Sequence, residues 1–153
     1  MSTTTARTQR TSRSPVQTAA LVSGALFLLV GVLGFVPGVT SDYDSLQVAG
    51  HESHAMLLGI FQVSVLHNAV HLLFGVAGLV TARTATSART FLVAGGAIYL
   101  LLWVYGLVID QESGANFVPL NHADQWLHLL LGVGLLGAGL LLGRDRARGA
   151  RGV

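Results

Sequence analysis

The stretch HNAVHLLFGVAGL, His67 to Leu79, places two imidazoles and an amide in a run that is otherwise apolar enough to cross a bilayer. The stretch DQWLHLLLGVGLL, Asp124 to Leu136, repeats the pattern, with His128 at the place of His71. Ionisable residues inside membrane segments are costly, and they usually mark functional sites. The two stretches therefore predict membrane-crossing helices that share one polar site.

The composition favours lipid as the surrounding medium. Hydrophobic residues make up 52% of the 153 residues and charged residues only 10%, well below the roughly 25% charged residues of a soluble domain. The chain has no cysteine, which excludes disulfides, thiolate metal sites and cysteine nucleophiles. The nine basic residues are all arginine, and they lie at the termini and in one short loop. This placement favours membrane topology over binding to nucleic acid.

Four apolar segments are long enough to cross a hydrocarbon core of ~30 Å. The predicted spans are residues 17–36, 64–82, 90–109 and 126–143, between a disordered basic tail at 1–15 and a second basic tail at 144–153. The run from Met56 to Val63 is predicted to be an outer extension of the second span or a short interfacial helix.

The charges are divided between the two sides of this arrangement. All nine arginines fall on the side of the termini and the second loop, whereas six of the seven acidic residues fall on the opposite side. By the positive-inside rule, both termini are then cytoplasmic and the two acidic loops face outward. We therefore expect a protein of a cytoplasmic (inner) membrane with both termini in the cytoplasm.

The first and third spans are related in sequence. GALFLLVGVLGFV, residues 24–36, aligns without gaps on GAIYLLLWVYGLV, residues 96–108. Recurrence inside the chain argues against cleavage of the first span as a signal peptide. Because each half contains two spans, the halves run in the same direction and are related by an axis along the membrane normal. The predicted fold is an all-α, integral membrane four-helix bundle built from two parallel-repeat transmembrane hairpins.

Each hairpin carries three polar residues within an arc of about 100° on its second span. These residues are His67, Asn68 and His71 in the first hairpin and Asp124, Gln125 and His128 in the second. Both faces are predicted to point into the bundle. At about 1.5 Å per residue, His71 lies about 18 Å from Arg83, in the outer half of the membrane.

Three interpretations of this cluster remain open. The polar groups can pack the bundle through hydrogen bonds between helices. His67, His71, Asp124 and His128 can bind zinc or another divalent metal ion, although the H-x-x-x-H spacing alone is a weak indication. His71 and His128 can be the axial ligands of haem b in a redox or electron-transfer subunit, with Gly75 and Gly132 leaving room for the ring. A small proton-coupled transporter is a further alternative.

Enzymatic activity is not indicated. The sequence lacks a nucleophile elbow, a phosphate-binding loop and a dinucleotide fingerprint. The histidines at positions 51, 54 and 122 are predicted to be solvated in the outer loops. We expect a non-enzymatic protein whose partners are the bilayer and, because the spans are rich in glycine, a second copy or another membrane protein.

The paired motifs resemble those of a known family. HNAVH followed by an arginine-bracketed turn, then GAIYLLLWVYGLV and the D-x-x-L-H pattern of DQWLH, are similar to four-span bacterial, mainly actinobacterial, membrane proteins classed as domain of unknown function DUF4383. The resemblance covers roughly residues 17–143. It implies signature positions at His67, Asn68, His71, Asp124 and His128, and Gln125 departs from the asparagine of the family's D-N-x-L-H pattern. It implies no activity.

Overall fold

A computed structural model describes residues 12–143, and these residues contain four α-helices. The helices are α1 (Pro15–Leu33), α2 (Val65–Thr81), α3 (Ala85–Val108) and α4 (His122–Leu141). By length and composition, α1, α3 and α4 are able to cross a membrane, while α2 is a shorter apolar helix. The mostly helical fold agrees with the predicted all-α membrane protein. The tails at 1–11 and 144–153 lie outside the described residues.

Local capping explains where the helices begin. The Thr84 side chain accepts a hydrogen bond from the Ser87 amide, so α3 begins five residues before the predicted span. In the same way, Asn121 accepts a hydrogen bond from the Asp124 amide and starts α4. His122, which was predicted to lie in an outer loop, is therefore in the first turn of a helix.

Glycines allow α1 to approach α2 closely and α3 to approach α4 closely. A Cβ atom built on Gly24 in α1 would lie 2.8 Å from the backbone nitrogen of Leu79 in α2. A Cβ atom on Gly96 in α3 would lie 2.5 Å from the backbone nitrogen of Leu136 in α4. Both separations are too short for a real side chain, so the backbones are in direct contact.

The two helix pairs meet at an aromatic stack. Phe27 of α1 and Tyr99 of α3 are both buried, and their rings are parallel within 6° with centroids 5.5 Å apart. Phe74 of α2 packs edge-on against both rings. This cluster forms the centre of the helical core.

The segment between α1 and α2 folds over one end of the bundle. It contains three two-residue strands, β1 (Thr40–Ser41), β2 (Met56–Leu57) and β3 (Phe61–Gln62), paired antiparallel in that order. We call residues 37–63 the cap. The expected extension or interfacial helix over Met56 to Val63 is wrong, because β2 and β3 form a tight hairpin that turns through Leu58 (φ 56°) and Gly59 (φ 69°).

Candidate functional site

The six polar residues singled out from the sequence are all buried in the bundle. Each side chain is only 1–7% exposed. They are His67, Asn68 and His71 on α2 and Asp124, Gln125 and His128 on α4. The structure therefore brings the three histidines and Asp124 to one cavity, while Asn68 faces Gly34 at the end of α1 and Gln125 faces Gly106 of α3.

His67 and His71 form the closest pair in the cluster. The Ser64 hydroxyl oxygen accepts a hydrogen bond from the His67 amide and fixes the start of α2. The i, i+4 spacing then places the two imidazoles next to each other on one helix face. Their Nε2 atoms are 3.2 Å apart, within hydrogen-bond distance, with the donor set by the tautomers, and the rings meet edge to face with centroids 4.7 Å apart.

His128 faces this pair from α4. Its ring centroid lies 6.5 Å from that of His67. The stacked aromatic rings reach the same histidines, since Tyr99 contacts His128 with centroids 5.2 Å apart and Phe27 contacts His71 at 5.8 Å. Sequence reasoning missed Phe27 and Tyr99 as parts of the site. The sequence did contain an indication of their role, because Phe27 and Tyr99 occupy equivalent positions in the aligned stretches 24–36 and 96–108.

Several buried nitrogens in the cluster are left without a partner. Nδ1 of His67, His71 and His128 and Nδ2 of Asn68 make no hydrogen bond to any group of residues 12–143. Buried polar groups are nearly always paired, and an unpaired one in a native structure points to water, an ion or a functional role. The three Nδ1 atoms are separate from the Nε2 atoms through which His67 and His71 face each other, and Nδ2 of Asn68 lies against Gly34 at the end of α1.

Asp124 and Gln125 differ from the histidines because both are engaged with the backbone. Oδ2 of Asp124 accepts hydrogen bonds from the backbone amides of Gln62 and Asn121, each at 3.1 Å. The Gln125 side chain donates to the carbonyl oxygen of Gly106 at 2.6 Å. These contacts tie α4 to the cap and to α3. Asp124 therefore keeps only Oδ1 for any ligand.

The histidines and Asp124 line an enclosed cavity of about 80 Å³. Its other walls are apolar side chains of the cap, α1 and α4, namely Val30, Leu57, Leu58, Phe61, Val63 and Leu127. At about 30 Å³ per water molecule, the cavity holds about two or three waters. Organic ligand sites are larger, at about 300–1,000 Å³, so the space suits water or a single ion.

The predicted haem does not fit this site. The cavity is far smaller than a porphyrin requires. Gly75 and Gly132, which were expected to leave room for the ring, are instead covered by Leu28 and Leu100 of the neighbouring helices. A Cβ atom on Gly75 would lie 2.7 Å from the Leu28 nitrogen. These glycines serve close helix packing.

The predicted four-ligand metal set is only partly assembled. Among residues 12–143, no group of three or more His, Cys, Asp or Glu side chains is already arranged to hold a metal ion. His67 and His71 are close enough to share one, but the His128 ring is farther away. The geometry thus provides two adjacent imidazole nitrogens and a third imidazole farther away in the same cavity.

Comparison with known proteins gives one match. A family model described as Domain of unknown function (DUF4383) matches residues 17–141. No curated protein and no solved structure matches the chain. The matched range includes all six polar residues of the cluster and both stacked aromatic residues.

Proposed function

This chain belongs to the DUF4383 family, and on that premise we propose that it is a non-enzymatic, multi-pass protein of the bacterial inner membrane that binds a divalent metal ion of the zinc class. The proposed ligands are His67 and His71, completed by His128 and Asp124. The Nε2 separation of His67 and His71 is the observation that carries this proposal.

The membrane part of the proposal is four spans with both termini in the cytoplasm. The 17 residues of α2 are at the lower limit for a crossing, and α2 lies against α1, since Gly24 meets Leu79 and Gly34 meets Asn68. The arginines described, at positions 13, 83 and 89, all lie at the bundle end opposite the cap. This distribution supports an outward-facing cap.

Matched helix contacts support two parallel hairpins. Gly24 and Gly96 occupy aligned positions, and the backbone atoms they approach, in Leu79 and Leu136, are also aligned. The helices α2 and α4 are both capped three residues before their polar motif, by Ser64 and Asn121. Phe27 and Tyr99 are aligned as well and stack on each other, as expected for residues beside a pseudo-two-fold axis.

The distance between the two histidine nitrogens matches a chelating pair. With zinc–nitrogen bonds of about 2.0–2.1 Å and tetrahedral angles, two ligating nitrogens are about 3.3 Å apart. The observed Nε2 separation is 3.2 Å. His128 would complete the site by turning its ring toward this pair, and Oδ1 of Asp124 supplies the negative charge that a buried cation requires.

The size of the cavity supports a binding role over an enzymatic one. A volume of about 80 Å³ accommodates an ion with one or two waters but no organic substrate. The cap residues that line it also separate the histidines from solvent, since each imidazole is nine-tenths or more buried. A buried ion would add stability to the bundle, because only the folded chain brings α2 and α4 together.

We expect the detergent-purified full-length protein to bind about one zinc ion. The His67→Ala, His71→Ala double variant should bind zinc more than about tenfold more weakly, because even mutation of residues that only hydrogen-bond to metal ligands lowers metal affinity about 10–100-fold. Metal content is measured by mass spectrometry of the purified protein and affinity by calorimetric titration. His54→Ala, on an exposed cap residue, is the matched control and should bind as the wild type does.

The packing interpretation predicts a different result in the same experiment. If neither protein binds zinc or another divalent metal and the double variant is only less heat-stable, the histidines pack the bundle and the metal proposal is wrong. A sharp Soret absorption band that disappears in the variant would instead identify haem.

A further inference from the structure

A second candidate site lies at the end of the bundle opposite the cap. A groove of about 520 Å³ runs between the start of α1 and the turn that joins α2 to α3. Its polar end contains Ser12, Arg13, Arg83 and Thr84. Nothing in the proposed metal site involves this region.

The glutamine at the start of α1 determines the shape of the groove. Oε1 of Gln17 accepts hydrogen bonds from the backbone nitrogen and the hydroxyl of Ser14, at 3.0 and 2.9 Å. Its Nε2 donates to the carbonyl oxygens of Ala82 and Arg83, at 3.1 and 2.9 Å. One side chain thus connects the residue after Arg13 to Arg83 itself. Arg13 and Arg83 both line this groove.

The charge of this groove is positive and uncompensated within the described chain. Arg13 and Arg83 are both exposed. Every acidic residue of the range 12–143 lies at the other end, in the cap, in the α3–α4 connection or in the first turn of α4. Two exposed guanidinium groups on one groove, with no carboxylate among residues 12–143 at this end of the bundle, favour binding of an anion.

The groove changes from polar to apolar along the helix axes. Leu21, one helical turn after Gln17 in α1, and Leu79, one helical turn before Arg83 in α2, line its inner end. An arginine pair next to two leucines that face the membrane interior matches a lipid, with its phosphate at the membrane surface and the start of its acyl chain beside the helices. A free phosphate ion would leave these leucines uncontacted.

We propose that this groove binds an anionic phospholipid, with the lipid phosphate between Arg13 and Arg83 and an acyl chain along Leu21 and Leu79. The inference rests on the membrane-spanning part of the proposed function and is independent of the histidine cluster. Basic pockets between membrane helices on the cytoplasmic side are a known setting for such headgroups. The bound lipid would connect α1 to the α2–α3 turn.

The test measures binding of phosphatidylglycerol to the full-length protein in detergent, by native mass spectrometry and by the shift in its melting temperature. We expect Arg13→Gln and Arg83→Gln each to weaken binding about fivefold, since a basic residue near the membrane surface contributes about that factor. The double variant should lose more than about tenfold. Arg→Lys at either position should retain part of the binding, and circular dichroism should show unchanged helix content.

Arg89→Gln is the matched control, because it removes the same charge from the same end of the bundle but lines a different groove. If this control weakens binding as much as the Arg13 and Arg83 variants, the attraction is unspecific and the site is refuted. Phosphatidylcholine bound as tightly as phosphatidylglycerol would also refute it. Inorganic phosphate that binds at the same concentration and displaces the lipid would identify a phosphate site in place of a lipid site. Loss of metal binding by the histidine variants would leave all of these results unchanged.

Discussion

The Gly96→Ala variant should lower the free energy of unfolding by at least about 2 kcal/mol, since overpacking a tight contact costs about 1–3 kcal/mol or more. The added Cβ atom would lie 2.5 Å from the backbone nitrogen of Leu136 and 2.9 Å from the carbonyl oxygen of Gly132. Both obstructing atoms belong to the α4 backbone and cannot rotate away. The two helices would have to separate, which would loosen the α3–α4 contact along its length.

Gly134→Ala on the neighbouring helix is the matched control. A Cβ atom there meets nothing within 4 Å among the described residues, and alanine is favoured over glycine in a helix by about 1 kcal/mol. This variant should therefore be as stable as the wild type or slightly more stable. Unfolding in increasing denaturing detergent, followed by circular dichroism, compares the three proteins. Equal stabilities of Gly96→Ala and the wild type would show that α3 and α4 are not in direct backbone contact.

Asp124→Ala is expected to cost about 3 kcal/mol or more, because each hydrogen bond to a charged group contributes about 1.5–3 kcal/mol. The substitution leaves the backbone amides of Gln62 and Asn121 without their acceptor. Asn121 is the residue that caps α4, so the start of that helix and its contact with the cap should weaken together. Amide hydrogen exchange at Gln62 measures this directly and should become faster.

Asp44→Ala is the control for this variant. Asp44 is an exposed carboxylate of the cap, and its removal should change stability by less than about 0.5 kcal/mol, as at most surface positions. Asp124→Asn should recover part of the loss, since its amide oxygen can accept both hydrogen bonds in place of Oδ2 but carries no charge. An Asp124→Ala protein with wild-type stability and slow Gln62 exchange would contradict the role assigned to this carboxylate.

The helical part of the fold could be predicted because it depends on composition over long segments. Apolar runs of about twenty residues have few alternatives to membrane helices. The start of α3 and of α4 was missed because apolar length was given more weight than local capping. Thr84 and Asn121 are helix-capping residues in the sequence, and Asn121 is followed three residues later by Asp124. This spacing is typical of a helix start.

The cap could not be predicted in the same way. Strands are recognised by alternation over about four to eight residues, whereas β1, β2 and β3 have two residues each. Their pairing depends on contacts with residues far along the chain, such as the one between Gln62 and Asp124. Because the strands are too short to be recognised, the apolar run from Met56 to Val63 resembles an extension of the following helix. Only Gly59 in its middle indicated a turn.

The polar site was predictable as a set of residues but not as a geometry. Periodicity placed the three polar residues of each motif on one helix face, and all six are buried. Periodicity does not reveal what each side chain contacts. Asp124 was grouped with the histidines as a possible metal ligand, yet one of its oxygens is already bound to two backbone amides. Leu28 and Leu100 pack against Gly75 and Gly132 and leave no room for haem. This close packing is likewise a property of the assembled helices.

The bonds between the cap and α4 constrain the order in which the chain completes its fold. The contacts that pair α1 with α2 come from residues synthesised early, so the first hairpin can form before the third helix exists. The cap lies within this early part, but its Ile60 carbonyl accepts from Asn121 and its Gly50 amide donates to Phe117. Both partners are synthesised only after α3. The first loop to emerge therefore becomes fixed only when α4 is in place, and the cavity closes at that step.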